Sequence, residues 1–172
     1  SASADAVIHL ANKHDFANQA SSNRAERTAV ETIGDALVGS NRPFLLASGL
    51  GATAGRAATE DDRSPHRGVD SPRGGSENLA LEYADRGVGA VSVRFAPTVH
   101  GDGDHGFISV LVGIARDKGL SGYIGDGANR RAAVHRSDAA RVVRLGLEKA
   151  APGSILHAVG EPGIPTGTIA EW

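Results

Sequence analysis

Four short apolar runs constrain the fold more than anything else in this chain. They are Ala6-Val-Ile-His-Leu-Ala11, Pro43-Phe-Leu-Leu-Ala-Ser48, Val88-Gly-Ala-Val-Ser-Val-Arg-Phe95 and Ser154-Ile-Leu-His-Ala-Val159. They are nearly continuous in apolar character and do not alternate with polar residues. Strands that read this way are buried on both faces, as in a parallel sheet. Helical patterns lie between them. From Gln19 to Val38 the apolar positions Ala25, Ala29, Val30, Ile33, Leu37 and Val38 fall on one helical face, and Gly39 supplies a stop. Ser76 to Asp85 predicts a helix with Leu79, Ala80, Tyr83 and Ala84 on one side. Phe107 to Lys118 predicts an amphipathic helix ended by Gly119, and Asp138 predicts an N-cap for a helix running to Lys149. Ser121-Gly-Tyr-Ile124 reads as a further short strand closed by Gly125-Asp-Gly127. The alternation predicts an α/β fold, a mostly parallel sheet with helices on both faces.

Composition removes several function classes. The chain carries 18 basic and 20 acidic residues, a formal net charge of -2. That balance gives no footprint for nucleic acid or an anionic membrane surface, so neither is expected as a partner. Cysteine is absent, which rules out disulfides and thiolate metal sites. No apolar run approaches the roughly 20 residues of a membrane span, and no signal-peptide pattern opens the chain. A cytoplasmic location is the resulting expectation.

The polar stretch from Gly49 to Gly75 is long for a compact domain, and loops of that length are commonly functional. The chain contains no Met and begins at Ser1, and Thr166 to Trp172 reads as a helix just starting. Both observations suggest a sequence cut at its ends.

Taken in order, the segments resemble the later part of an extended short-chain dehydrogenase/reductase, in the atypical group described as NAD-dependent epimerase/dehydratase-like. Asp5 to Ala11 is similar to that family's fourth strand, Phe44-Leu-Leu-Ala-Ser-Gly49 to its fifth, and Arg94-Phe-Ala-Pro-Thr-Val-His-Gly101 to its sixth strand with the loop that follows. Gly125-Asp-Gly127 with Arg131-Ala-Ala-Val-His-Arg-Ser-Asp-Ala-Ala140 is similar to its substrate-domain segment. Arg73, the pair Ser76-Glu77 and the stretch Val99 to Phe107 match the atypical group more closely still. The resemblance implies a Rossmann-like sheet lacking its first strands. It divides the chain into a partial dinucleotide-binding domain, residues 1–100, and a partial substrate-binding region, residues 101–172, interleaved with the core. It further implies an NAD or NADP cofactor and a small carbonyl or hydroxyl substrate, sugar-derived in many members. A homo-oligomer is allowed.

In an open parallel sheet, ligands sit beyond the carboxyl ends of the strands. With the resemblance, this assigns Leu10, Ala11, Asn12, Ser48, Gly49, Arg73, Ala96, Pro97 and Thr98 to the dinucleotide, and His100 and Arg131 to the substrate. Ser48 and Arg73 are the candidate catalytic residues. The departures are substantial. The glycine-rich pyrophosphate turn belongs before the family's fourth strand, and Gly49-Leu-Gly-Ala-Thr-Ala-Gly55 leads into polar loop and so does not replace it. This chain by itself is therefore expected to bind NAD(H) or NADP(H) weakly or not at all. Alignment on Glu77 places Arg73 at the family's Lys and Val69 at its Tyr, while Leu50 stands where the strand-end hydroxyl belongs, two places beyond Ser48. A guanidinium stays protonated near neutral pH, so Arg73 suits binding and charge stabilisation better than proton relay. Three altered positions also allow a non-catalytic binding protein.

Other readings carry less. His100, Asp102, Asp104 and His105 match no standard metal-ligand spacing, and no metal is expected. A hydrolase through Ser48 is disfavoured because Ser48-Gly49 runs into loop and not into a helix. His9, inside an apolar strand, reads as a core or sheet-end histidine, and Tyr83 as core. Arg130 and Arg131 divide between phosphate binding and solvated surface, and Glu60-Asp-Asp-Arg63 reads as a solvated loop.

Overall fold

Leu45 and Val93, fully buried on adjacent strands, mark the centre of a four-stranded parallel sheet. In this computed structural model, which describes all residues except 1, 2, 14, 16, 52–54 and 172, the sheet contains β1 (Val7–His9), β2 (Pro43–Gly49), β3 (Gly89–Phe95) and β6 (Ile155–Ala158) in the order β1-β2-β3-β6. Every pairing within it is parallel. The rejected glycine pattern after Gly49 runs through residues 52–54, outside the described residues.

The pleat sends alternate side chains of β2 to opposite layers. Phe44 and Leu46 meet Val30 and Leu37 of helix α1 (Gln19–Leu37), Ala80 of α2 (Ser76–Glu82) and Tyr83. Leu45, with Val93 and Ala158, meets Val142, Val143 and Leu147 of α4 (Arg136–Lys149). Helices therefore cover both faces, and Ala11, Ser48 and Phe95 lie at or just past the carboxyl ends of three neighbouring strands, as expected. Tyr83 is core: its ring lies over Gly34 of α1, and its hydroxyl donates to Asp35 at 2.8 Å. A Cβ on Gly34 would stand 2.5 Å from that ring. Gly34→Ala should therefore cost about 1–3 kcal/mol, the range for overpacking a core. A urea melt within a few tenths of wild type would mean that the α1–Tyr83 contact is loose.

A second, three-stranded sheet departs from the expected alternation. Its strands β4 (Thr98–His100), β5 (Arg130–His135) and β7 (Glu161–Pro165) take the order β4-β5-β7, with β4 parallel and β7 antiparallel to β5. β4 follows β3 after two residues and β7 follows β6 after two, so the small sheet grows from the carboxyl ends of the large one. Ala96, Ala132, Val134 and Ala139 pack there against Leu50, Phe95 and Val159.

Two local expectations are corrected. Ser121 to Ile124 forms no strand; only one branched residue stands among Gly and Ser, and Tyr123 and Ile124 are exposed. Helix α4 begins at Arg136, two residues before Asp138, and is capped by the His135 side chain, which accepts from the Ser137 amide. Helix α3 (Phe107–Lys118) spans its predicted residues, but none of them is buried. The short helix α5 (Thr166–Ala170) closes the described chain.

Candidate functional site

Paired positions in a parallel ladder point to the same face. Ser48 pairs with Arg94 across β2 and β3, and Arg94 pairs with His157 across β3 and β6. Ser48, Arg94 and His157 thus form one row at the carboxyl end of the sheet, on the side covered by α1 and α2. Below Arg94 stands Glu77, from the first turn of α2. Its Oε1 accepts from Arg94 Nε at 2.7 Å and from Ser92 Oγ at 2.9 Å. All three residues are buried.

Arg94 Nη1 lies 3.5 Å from His157 Nε2. A guanidinium only donates, so Nε2 accepts, and the neutral imidazole carries its proton on Nδ1. That nitrogen faces Glu60 Oε1 at 3.9 Å, and the His157 amide donates to the same oxygen at 3.3 Å. The run around Glu60, expected to be solvated loop, thereby ties the long connection after β2 to the far strand. A second tie, between Arg56 and Asp62, holds the loop's own shape and keeps the Asp62 carboxyl far below the usual carboxylate range.

Burial, ahead of the opposing pull of Glu60, pushes the His157 imidazole below its ordinary value. The unfolded chain therefore binds the extra proton first. Stability should fall as pH drops through about 6.5, the unfolded value, and level off once pH is below the folded value. His157→Gln should remove that component. Equal pH-stability curves for wild type and variant between pH 7 and pH 5 would refute the assignment.

Arg73 sits at the other end of the row. Pro72-Arg-Gly-Gly75 forms a single tight turn before α2, with Arg73 itself at φ 53°. Its Nη2 donates to Glu26 Oε1 at 2.7 Å and to the Ala47 carbonyl at 2.9 Å, one residue before Ser48. Glu26 belongs to α1, and its Oε2 accepts from Asn12 Nδ2 at 3.4 Å. His9 Nε2 lies 3.7 Å from Glu26 Oε1. Among the described residues, three buried side-chain polar atoms have no hydrogen-bond partner: His9 Nε2, Arg73 Nε and Thr98 Oγ1. All three lie at or just beyond the carboxyl ends of β1, β2 and β3.

The expected substrate residues lie in the small sheet. His100 pairs in register with His135, their rings edge to face at 5.5 Å, and the Arg131 guanidinium sits 4.7 Å over the Phe107 ring. Arg130 donates to the Gly163 carbonyl. Among the described residues no group of three or more His, Asp or Glu could hold a metal ion, and no helix is long and apolar enough to cross a membrane.

Sequence reasoning did not single out Glu26, Arg94 or His157 as site residues. The signals were present. Glu26 falls on the stripe Asn23, Val30, Gly34, Leu37 that α1 buries, and Arg94 and His157 interrupt apolar strands as His9 does.

No protein-family model matches the chain. It is 42% identical over 171 residues to an uncharacterized protein of Schizosaccharomyces pombe, covering 98% of this chain and 57% of that protein. It is 43% identical over 171 residues to an uncharacterized protein of Saccharomyces cerevisiae, covering 96% and 56%. The chain thus spans little more than half the length of these relatives. Among solved structures it resembles a dTDP-glucose 4,6-dehydratase from Bacillus anthracis in complex with NAD (TM-score 0.70, 17% identity, 97% of this chain and 55% of that one). It also resembles the dTDP-glucose 4,6-dehydratase DesIV from Streptomyces venezuelae with NAD bound (TM-score 0.74, 23% identity, 98% and 56%). A third likeness is to RMD from Pseudomonas aeruginosa complexed with NADPH (TM-score 0.71, 20% identity, 97% and 63%). The fold of this chain is the Rossmann-like fold of these structures.

Proposed function

We propose that the chain forms part of an NAD(P)-dependent oxidoreductase or epimerase of the short-chain dehydrogenase/reductase type, acting on a small carbonyl or hydroxyl compound, with sugar derivatives the first to test. One observation carries the reading. Among the described residues, three buried polar atoms lack a hydrogen-bond partner, His9 Nε2, Arg73 Nε and Thr98 Oγ1, and their residues stand at or beside the carboxyl ends of parallel strands, where the switch-point rule places a dinucleotide. Buried polar groups are nearly always hydrogen-bonded, so three unsatisfied ones at this end of the sheet favour a polar ligand there. The nicotinamide would accept or deliver the hydride. Leu10, Ala11 and Asn12 would line it from β1, Ser48 and Gly49 from β2, and Ala96, Pro97 and Thr98 from beyond β3. Arg73, fixed and permanently charged, would hold a ribose hydroxyl or a substrate anion, and Ser48 would orient the carbonyl. His100 and Arg131 would meet the substrate from the small sheet.

A specific feature favours a second reading, a binding protein without turnover. The chain has two tyrosines. Tyr83 is locked in the core, and Tyr123 lies against Gly127 in the second half of the chain. The position aligned with the family's Tyr is Val69. Fluorescence titration of NADH and NADPH into the full-length protein that carries this chain tests both readings. Saturable binding with hydride transfer to a sugar-nucleotide or small carbonyl panel supports the first, and saturable binding without transfer supports the second. Absence of binding by either nucleotide at millimolar concentration defeats both.

A further inference from the structure

Glu26 is a carboxylate on the buried stripe of an amphipathic helix, with a side chain only 3% exposed. Burying a charge is costly unless it is paired and hydrogen-bonded. Here Oε1 holds Arg73 Nη2 and Oε2 holds Asn12 Nδ2.

The partner is itself unusual. Arg73 adopts the left-handed region, at φ 53° and ψ 23°, which a side chain bearing a Cβ disfavours. Surrounding contacts keep it there. A Cβ on Gly74 would stand 2.4 Å from the Asn23 carbonyl oxygen and 2.9 Å from Arg27 Cβ, so the turn is pressed directly onto α1. Arg27 Nη1 donates to the Gly74 carbonyl at 3.0 Å. One stretch of α1, Asn23 to Arg27, thus seats the turn and, through Glu26, aims its arginine at the end of β2. Nη2 directs its donors to Glu26 and the Ala47 carbonyl, while Nε has no partner.

We infer that Glu26 is the positioning residue of Arg73: its buried carboxylate holds the guanidinium in one orientation at the strand ends and so sets how strongly the site grips a nucleotide. The nucleotide part rests on the function proposed above. The orientation part does not.

The test uses the full-length protein with Glu26→Gln and Glu26→Asp, and two readouts. The first is the Arg73 Nε–H signal in proton–nitrogen NMR, assigned by its loss in Arg73→Lys. The second is NADH affinity. Wild type should show one sharp, slowly exchanging Arg73 signal. Glu26→Gln should abolish or broaden it and weaken NADH binding tenfold or more. Glu26→Asp, which keeps the charge on a shorter arm, should shift the signal and weaken binding less. An unchanged signal in Glu26→Gln overturns the inference. Should that variant fail to fold, an unshifted signal in Glu26→Asp overturns it equally. Loss of the signal with unaltered NADH affinity upholds the positioning role and removes Arg73 from the nucleotide site.

Discussion

Glu77→Ala should destabilise the protein by about 3–5 kcal/mol, the cost of stranding one member of a buried ion pair. The carboxylate it removes accepts from both Arg94 and Ser92. Arg94 is only 4% exposed, so water cannot readily replace the lost partner. The double variant Glu77→Leu/Arg94→Met should recover most of the loss, because a pair replaced by apolar groups leaves no orphan charge. Urea denaturation of the three proteins decides the matter. A Glu77→Ala cost below about 1 kcal/mol, the level of an exposed pair, would show that the cluster admits solvent.

On the function proposed above, Arg73→Ala should reduce nucleotide affinity in the full-length protein by about 1.5–3 kcal/mol, the range for a hydrogen bond to a charged group. Arg73→Lys should restore part of this. An ammonium keeps the charge but cannot reproduce the planar fork that reaches Glu26 and the Ala47 carbonyl together. Because a guanidinium does not titrate near neutral pH, neither variant should move the midpoint of a pH–rate profile. Affinity titrations and pH–rate curves on folded variants check both statements. Undiminished affinity in Arg73→Ala would make the residue a structural tie between α1 and β2 and nothing more.

The sheet and most of its helices were legible in the sequence because their signals are local. Branched apolar runs have one stable use, burial between layers, and α1 and α3 span the residues their patterns predict. The second sheet was not legible. Thr98–His100 and Glu161–Pro165 are short, rich in Pro and Gly or polar residues, and gain their strand character only from pairing with Arg130–His135. Tertiary pairing of that kind leaves no period to read. The site divides in the same way. Ser48 is a candidate through its place at a strand end and Arg73 through its spacing to Glu77 in the family resemblance, and the structure sets Arg73 Nη2 against the Ala47 carbonyl, one residue before Ser48. Glu26, Arg94 and His157 were passed over because each sits inside an apolar pattern, where one polar residue looks like noise until its partner, distant in sequence, is brought beside it. The loop at Glu60 is solvated as expected, but its tie to His157 leaves no local signal because the two lie 97 residues apart.

The route of the chain also has a kinetic consequence. β3 and β6 are neighbours in the sheet, yet residues 96–154 intervene between them. One face of β2 and β3, carrying Leu45 and Val93, is covered by α4 and meets Ala158 of β6, all from the last third of the chain. A nascent chain that has emerged only through β3 can build the α1–α2 layer but must leave the opposite layer wet. Loop closure has to precede the contacts that reward it, which slows folding. During that interval the apolar edge of β3 is open to pairing with a strand from another molecule, so the final step of folding, and not the first, is where aggregation competes.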